Sequence, residues 1–154
     1  MLRVGVVAAV LACVLVVIGG QRHSASAGPV EHTCGLTDRQ FIDDYQQQVT
    51  LVEMYGDDFV HGAAKGKDVV AVARGAAASV RRGRPLDPSL QLARKYARAM
   101  FLQYADAVTA RDAGSTAARE MYLAQQIGAR LKDVLAEAQP GLAAKGCDVS
   151  DLLE

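Results

Sequence analysis

The sequence predicts an all-α fold: an up-down-up-down four-helix bundle that follows an N-terminal signal helix, with the two ends of the bundle joined by a disulfide. Apolar residues recur with the spacing of amphipathic helices in four segments, and turns containing glycine or proline separate these segments. No stretch alternates between apolar and polar residues for long enough to predict a strand. At 154 residues, the chain has room for one small domain besides a targeting segment.

The N-terminus has the pattern of a secretory signal peptide. Arg3 precedes an uncharged apolar run over residues 4–18, and Ala25-Ser26-Ala27 provides the small side chains that a signal peptidase recognises. We expect cleavage after Ala27 and a secreted or otherwise extracytoplasmic location in the cell envelope. The alternative is an uncleaved membrane anchor, which is disfavoured because the apolar run falls short of the ~20 residues that span a bilayer.

Cleavage would divide the chain into a signal peptide (1–27), a linker (28–36) and a single helical-bundle domain (37–154). Of the three cysteines, Cys34 and Cys147 would remain. An even number of cysteines in an oxidising compartment predicts a disulfide. Four antiparallel helices also bring the start of the first and the end of the fourth to one end of the bundle, so this topology places the two cysteines together.

The first two helices are bounded by capping residues and glycines. Thr37 has the spacing of a capping box with Gln40, and this helix should end near Gly62. Gly56 lies on the apolar stripe of the same helix, and a glycine there indicates that another backbone approaches closely. Asp68 can cap a shorter second helix that ends near residue 82.

The third helix has the clearest start in the chain. Asp87 is a preferred N-cap residue, Pro88 suits the first helical position, and no helix-breaking residue follows until Gly114. Ser115 is the expected N-cap of the fourth helix, which Pro140 should end. One face of the third helix is apolar and should face the core: Leu90, Ala93, Ala97, Met100, Phe101, Tyr104 and Val108.

Charge and composition indicate which kinds of molecule this protein is expected to bind. Seventeen basic and seventeen acidic residues cancel, so the chain lacks the basic field that draws in nucleic acid, and we expect no nucleic-acid partner. High use of alanine, arginine, valine and glycine is associated with GC-rich bacterial genomes. A membrane partner is expected only through the N-terminal segment, if that segment is not cleaved.

We therefore expect a bacterial binding or protein-interaction module rather than an enzyme, with an unknown protein or an envelope component as partner. The expected interaction surface combines side residues of the third helix with the basic turn that precedes it. An exposed apolar patch of this kind marks binding sites on soluble proteins. The surface comprises Leu92, Tyr96, Leu102, Arg81, Arg82 and Arg84.

Metal and haem sites are disfavoured, and no cofactor is expected. Asp58 and His61 have a spacing that places both on one helix face, but a di-metal bundle needs two such pairs and further inward carboxylates. Asp57, Asp58 and His61 are interpreted as a solvated helix end. The haem-attachment motif C-x-x-C-H is absent from the sequence.

An alternative function is carriage of a small apolar ligand, or haem, in the bundle core. This alternative requires a core pocket of at least ~300 Å³, a size typical of ligand sites. The residues expected to line it are Val52, Met100, Phe101 and Tyr104.

Arg111 and Glu120 are the two charges that interrupt otherwise apolar helix faces on either side of the last interhelix turn. We expect them to form an ion pair, because a single buried charge is costly. A second alternative is a small secreted enzyme that uses both groups on a substrate. The sequence contains no G-x-S-x-G motif and no phosphate-binding glycine loop that would support catalysis more directly.

Overall fold

The computed structural model describes residues 33–153, and four α-helices and no strands are present in that range. The helices are α1 (Leu36–Val60), α2 (Gly66–Arg82), α3 (Pro88–Asp112) and α4 (Ala118–Ala143), and a 3₁₀ turn follows at Ser150–Leu152. The all-α class and the four helices are thereby confirmed. Within residues 33–153, no helix combines the length and hydrophobicity needed to cross a membrane. The signal helix expected over residues 1–27 lies outside the described residues.

The start of α3 is capped as its sequence predicts. One carboxylate oxygen of Asp87 accepts hydrogen bonds from the backbone N–H groups of Ser89 at 2.8 Å and Leu90 at 3.4 Å. Pro88 occupies the first helical position. The other carboxylate oxygen lies 2.6 Å from the Nζ atom of Lys145, which follows α4. The cap therefore also joins the start of α3 to the segment after α4.

The start of α1 differs from the expected capping box. The helix begins at Leu36, before Thr37, and no side chain caps its N-terminus. Asp38 in the first turn instead accepts hydrogen bonds from the backbone N–H groups of Leu86, at 2.6 Å, and Asp87, at 3.1 Å. Its carboxylate thereby fastens the first turn of α1 to the start of α3.

The turn between α3 and α4 uses Ser115 differently from the prediction. Gly114 has a positive φ of 74°, a conformation that glycine adopts at helix C-termini at little cost. The Gly114 N–H then donates to the Arg111 carbonyl and the Ser115 N–H to the Ala110 carbonyl. Ser115 therefore completes the end of α3 and does not cap α4, which begins three residues later.

The expected end of α4 at Pro140 is also wrong by a few residues. The helix continues through Pro140 to Ala143. A proline within a helix removes one backbone hydrogen bond and usually breaks the helix. Here Leu142, one half-turn later, is almost completely buried at 1% exposure, and its apolar contacts offset that loss.

α3 is the central helix, because it packs along both α2 and α4. α1 packs on α2 and approaches α3 at only a few positions, while α1 and α4 do not pack closely. Fully buried alanines on α2 and α3 let these two backbones come together without large side chains between them. These are Ala73, Ala76 and Ala77 on α2 and Ala93, Ala97 and Ala105 on α3.

The predicted cysteine pair is confirmed. The sulfur atoms of Cys34 and Cys147 are 2.04 Å apart, and both residues are buried. The bond closes a loop with a sequence separation of 113 residues. In the loop-entropy model a closure of this length stabilises the folded state by ~4–5 kcal/mol.

Large side chains close the space between α1 and α4 on the side of the disulfide. The ring of Tyr45 stacks on Phe41 with centroids 6.3 Å apart and meets the ring of Phe101 at 6.1 Å. Leu131 and Leu135 of α4 are buried in the same cluster. Further along the two helices the side chains are smaller, and a groove opens.

Candidate functional site

An apolar cavity of about 270 Å³ lies where α1 and α4 stand apart, with α3 as its floor. We call it the apolar chamber. It contains all four residues expected to line a ligand pocket, but its volume lies slightly below the ~300 Å³ that this alternative requires. Its lining residues are Val49, Val52 and Glu53 of α1, Met100, Phe101 and Tyr104 of α3, and Met121, Ala124, Gln125 and Gly128 of α4.

Two small residues in the α4 wall help to form the apolar chamber. Ala124 and Gly128 are one helical turn apart on α4 and present little volume towards Val49 and Val52 of α1. A Cβ atom built on Gly128 would lie 3.3 Å from the Met100 sulfur, so the methionine occupies part of the space that glycine leaves. The space that remains is the apolar chamber.

Gly56 supports the floor of the same chamber. A Cβ atom at Gly56 would overlap the hydroxyl oxygen of Tyr104. The close approach expected at this glycine is therefore made by a side chain of α3, not by a second backbone. The contact holds the Tyr104 ring against α1, where it forms part of the chamber lining.

A second cavity, of about 620 Å³, adjoins the first and extends towards the 3₁₀ turn. We call it the polar chamber, because hydrogen-bonding and charged side chains line much of it. The two cavities share lining residues, so they form one groove that is almost entirely apolar in one part and more polar in the other. The shared residues are Val49, Glu53, Met100, Gln125 and Gly128, and the polar chamber adds Gln46, Thr50, Lys132 and Asp151.

The segment after the disulfide closes the outer part of the polar chamber. The side-chain amide of Gln46 on α1 donates to a carboxylate oxygen of Asp151 at 3.4 Å. The Nζ atom of Lys132 on α4 donates to the Leu153 carbonyl oxygen at 3.2 Å. The C-terminal segment thus contacts both helices that form the walls of the groove.

Two tyrosine hydroxyls next to the groove remain protonated at neutral pH. Burial, with a further contribution from the negative charge of Glu53, raises the pKa of Tyr45 far above its usual value. Burial also raises the pKa of Tyr104, although the Arg111 guanidinium partly opposes this. Both phenols can therefore act as neutral hydrogen-bond donors to a ligand.

The structure places the three apolar residues of the expected interaction surface in different surroundings. Leu92 is 40% exposed, whereas Tyr96 and Leu102 are partly buried against the core. Arg130 of α4 donates a hydrogen bond to Tyr96, which raises the pKa of the guanidinium. Leu102 lies in a shallow depression beside α2, so Tyr96 and Leu102 are on opposite flanks of α3.

The three arginines of that surface are exposed near the end of α2. Arg81 lines the same shallow depression as Leu102. Arg82 and Arg84 line another, together with residues of α1 that include Asp44. Among residues 33–153, none of the three arginines makes a hydrogen bond or an ion pair through its side chain. Their positive charge is therefore available at the surface.

The expected ion pair between Arg111 and Glu120 is not formed among the described residues. The Arg111 guanidinium instead lies over the ring of Phe59, 5.2 Å from its centroid. This contact joins the end of α3 to the end of α1 and gives the charge a cation–π partner. Neither Arg111 nor Glu120 lines either chamber of the groove.

The end of α1 carries the residues considered as metal ligands. The ring Nδ1 of His61 is 3.4 Å from a carboxylate oxygen of Asp57, and both side chains are largely exposed. Within residues 33–153, no three His, Cys, Asp or Glu side chains are grouped to hold a metal ion. His61 lies outside both chambers.

Sequence reasoning missed the residues that make the groove amphipathic. Glu53, Gln125 and Gly128 were not among the residues expected at a site. A signal was nevertheless present, because valines on one helix facing alanine and glycine on another leave a core underfilled. The register of α1 against α4 depends on tertiary contacts, so the sequence alone did not show which residues face each other.

No family model, curated protein or solved structure matches this chain.

Proposed function

We propose that this chain is a secreted bacterial up-down-up-down four-helix bundle that binds a small, largely apolar molecule in the groove between α1 and α4, without catalysing a reaction. The observation that carries the proposal is the apolar chamber of about 270 Å³, with valine, methionine, phenylalanine and alanine in its lining. A dry cavity of ~150 Å³ is enough to bind benzene, so this chamber has room for a larger apolar group.

The chemistry of the lining supports a binding site rather than a packing defect. Met100 and Met121 face the same cavity, and their unbranched, polarisable side chains adapt to ligands of different shape. The polar chamber adjoins the apolar one and provides polar groups that could fix the orientation of a bound molecule. A mostly apolar cavity with a few polar groups is the usual arrangement of small-molecule sites.

Secretion is supported by two independent features. The N-terminal sequence has the charge, apolar run and Ala25-Ser26-Ala27 pattern of a cleaved signal peptide. The sulfur atoms of Cys34 and Cys147 are at bonding distance, and disulfides persist mainly in oxidising compartments. N-terminal sequencing of the protein from the culture medium should begin at Gly28, and a retained Met1 would contradict cleavage.

Filling the apolar chamber tests the binding proposal. Ala124 is buried in the chamber lining, so Ala124→Phe should occupy the space. The neutral dye Nile red is large enough to extend from the apolar chamber into the polar chamber, and the substitution should weaken its binding by at least about tenfold, which corresponds to ~1.4 kcal/mol. Ala136→Phe adds the same ring on an exposed position of α4 outside the groove and should leave binding unchanged. Circular dichroism identifies variants that remain folded.

A second substitution in the chamber lining keeps the proposal testable if Ala124→Phe overpacks the core and does not fold. Met121 is only partly buried, so Met121→Trp can enlarge the side chain without displacing the helix. It should also weaken dye binding. If the native protein fails to bind Nile red, or if folded Ala124→Phe and Met121→Trp bind it as well as the native protein does, the proposal is wrong.

A second candidate function is docking of an acidic protein or envelope component on the basic surface formed by Arg81, Arg82 and Arg84. It is favoured by the three exposed arginines, which lack ion-pair partners among residues 33–153. Native mass spectrometry of the secreted protein separates the two candidates. A retained small molecule supports the groove, and a retained protein that is lost after the triple arginine-to-alanine substitution supports the surface.

A further inference from the structure

We propose that the groove prefers a cationic amphiphile, a molecule with an apolar body that fills the apolar chamber and a protonated amine that lies against Glu53. This inference rests on the proposed function, because it specifies the chemistry of the ligand in the same groove. It depends on the position of one carboxylate, on the other charges of the groove and on the dimensions of the apolar chamber.

Glu53 lies at the junction of the two chambers and lines both of them. Among residues 33–153, no side chain or backbone group forms a hydrogen bond or an ion pair with its carboxylate. The neighbouring apolar lining gives the charge no internal partner. A positively charged group of a ligand would supply one at the place where the apolar chamber ends.

The other charged groups of the groove leave its polar chamber negative. Two carboxylates, those of Glu53 and Asp151, line it together with one ammonium group, that of Lys132. Lys132 donates to the Leu153 carbonyl, and Asp151 accepts from Gln46. Charge complementarity therefore favours a cation over an anion as the polar group of the ligand.

The negative charge of Glu53 also acts on the buried phenol of Tyr45. After burial, the charge of Glu53 is the second cause that raises the Tyr45 pKa. The same negative potential would favour the protonated form of an amine placed nearby. Tyr45 also lines the polar chamber, although its ring is buried against Phe41 and Phe101.

The size of the apolar chamber limits the apolar body of the ligand. At roughly 30 Å³ for a water-sized group, the cavity of about 270 Å³ accommodates on the order of eight or nine methylene-sized groups. An eight-carbon chain is thus a suitable probe. Octylamine, octanol and nonanoate carry the same eight-carbon alkyl chain and differ in the charge of the polar group.

Displacement of Nile red from the purified protein at pH 7 and low salt measures the three affinities. We expect octylamine to bind about fivefold more tightly than nonanoate, since the attraction and the repulsion each lie in the range of an exposed charge pair. Glu53→Gln should weaken octylamine about two- to fivefold and leave octanol unchanged. Glu53→Lys should reverse the preference. The matched control is Glu137→Gln, which removes an exposed carboxylate of α4 outside the groove and should change none of the three affinities.

The outcomes separate this inference from the proposed function. If octanol displaces the dye but nonanoate binds as tightly as octylamine, the preference for a cation is refuted while the groove remains a binding site. An unchanged octylamine affinity in folded Glu53→Gln and Glu53→Lys would also refute it. If none of the three probes binds and Ala124→Phe has no effect on the dye, the proposed function itself fails.

Discussion

The carboxylate of Asp38, in the first turn of α1, accepts a hydrogen bond at 3.1 Å from the backbone N–H of Asp87, the residue that caps α3. The same oxygen accepts a second one from Leu86, so one buried side chain organises the turn before α3. Two backbone donors would lose their partner if this carboxylate were removed.

Asp38→Ala should therefore destabilise the fold by about 2 kcal/mol, since two N–H groups near the core would be left unsatisfied. Urea denaturation followed by circular dichroism measures the free energy of unfolding. Asp43→Ala removes an exposed carboxylate from the same helix and should change it by less than ~0.5 kcal/mol. Equal effects of the two substitutions would contradict the role given to Asp38.

The free energy of unfolding should decrease in acid, because the Asp87 carboxylate becomes protonated. Burial alone would raise the pKa of this carboxyl, but hydrogen bonds from Lys145 and from the backbone N–H groups of Ser89 and Leu90 outweigh it and lower the pKa. A lowered folded-state pKa adds stability that is present above the unfolded value of ~3.9 and is lost as the pH falls through the folded value. Denaturation midpoints between pH 2.5 and pH 7 should show this loss.

Asp87→Asn provides the comparison, because asparagine is also a good N-cap but cannot ionise. Its free energy of unfolding should be lower than that of the native protein at pH 7 and should depend less on pH below ~4. A native protein and a variant with parallel pH profiles would contradict the assignment to Asp87.

The disulfide should account for a substantial part of the stability. Thiol titration of the native secreted protein should find Cys34 and Cys147 unreactive until a reductant is added. Reduction should lower the free energy of unfolding by ~4–5 kcal/mol, as expected for a closed loop of this length. Two thiols that react at once in the untreated protein would show that the bond does not form.

Gly56 and Gly75 should respond to alanine in opposite ways. Gly75→Ala should stabilise the protein by about 0.5–1 kcal/mol, because the position is helical and nothing lies within 4 Å of the added Cβ atom. Gly56→Ala should destabilise it by about 1–3 kcal/mol, because the new methyl group overlaps the hydroxyl of Tyr104.

Tyr104→Phe tests the cause of the second effect. It removes the hydroxyl that meets Gly56, so Gly56→Ala should cost much less in the Tyr104→Phe background. Thermal melts of the four proteins form a double-mutant cycle. Additive effects of the two substitutions would show that this contact is not responsible.

The sequence predicted features that depend on residues close together in the chain, and it also predicted the disulfide. Asp87 and Pro88 are adjacent and mark the start of α3. The pairing of the two cysteines follows from the order of the four helices. Ser115 was assigned to the wrong helix because the Gly114 turn could use it at the end of α3 or at the start of α4. Only the backbone hydrogen bond to Ala110 decides between the two.

The candidate site was predicted in part. Val52, Met100, Phe101 and Tyr104 were expected together because each lies on the apolar face of its helix, and the apolar chamber contains them. The interaction partner of Arg111 was not predictable in the same way. An arginine can turn to a carboxylate or to an aromatic ring, and the choice of Phe59 depends on how the ends of α1 and α3 meet.

The separation of α1 from α4 means that the width of the groove is set indirectly. α1 keeps its place mainly through α2, and α4 mainly through α3. The two walls are also linked covalently at one end, through the disulfide between Cys34 and Cys147. Under the proposed function, a small shift of α1 on the alanine-rich surface of α2 would alter the size of molecule that the groove admits, and substitutions at that distant interface should change ligand selectivity without touching the ligand.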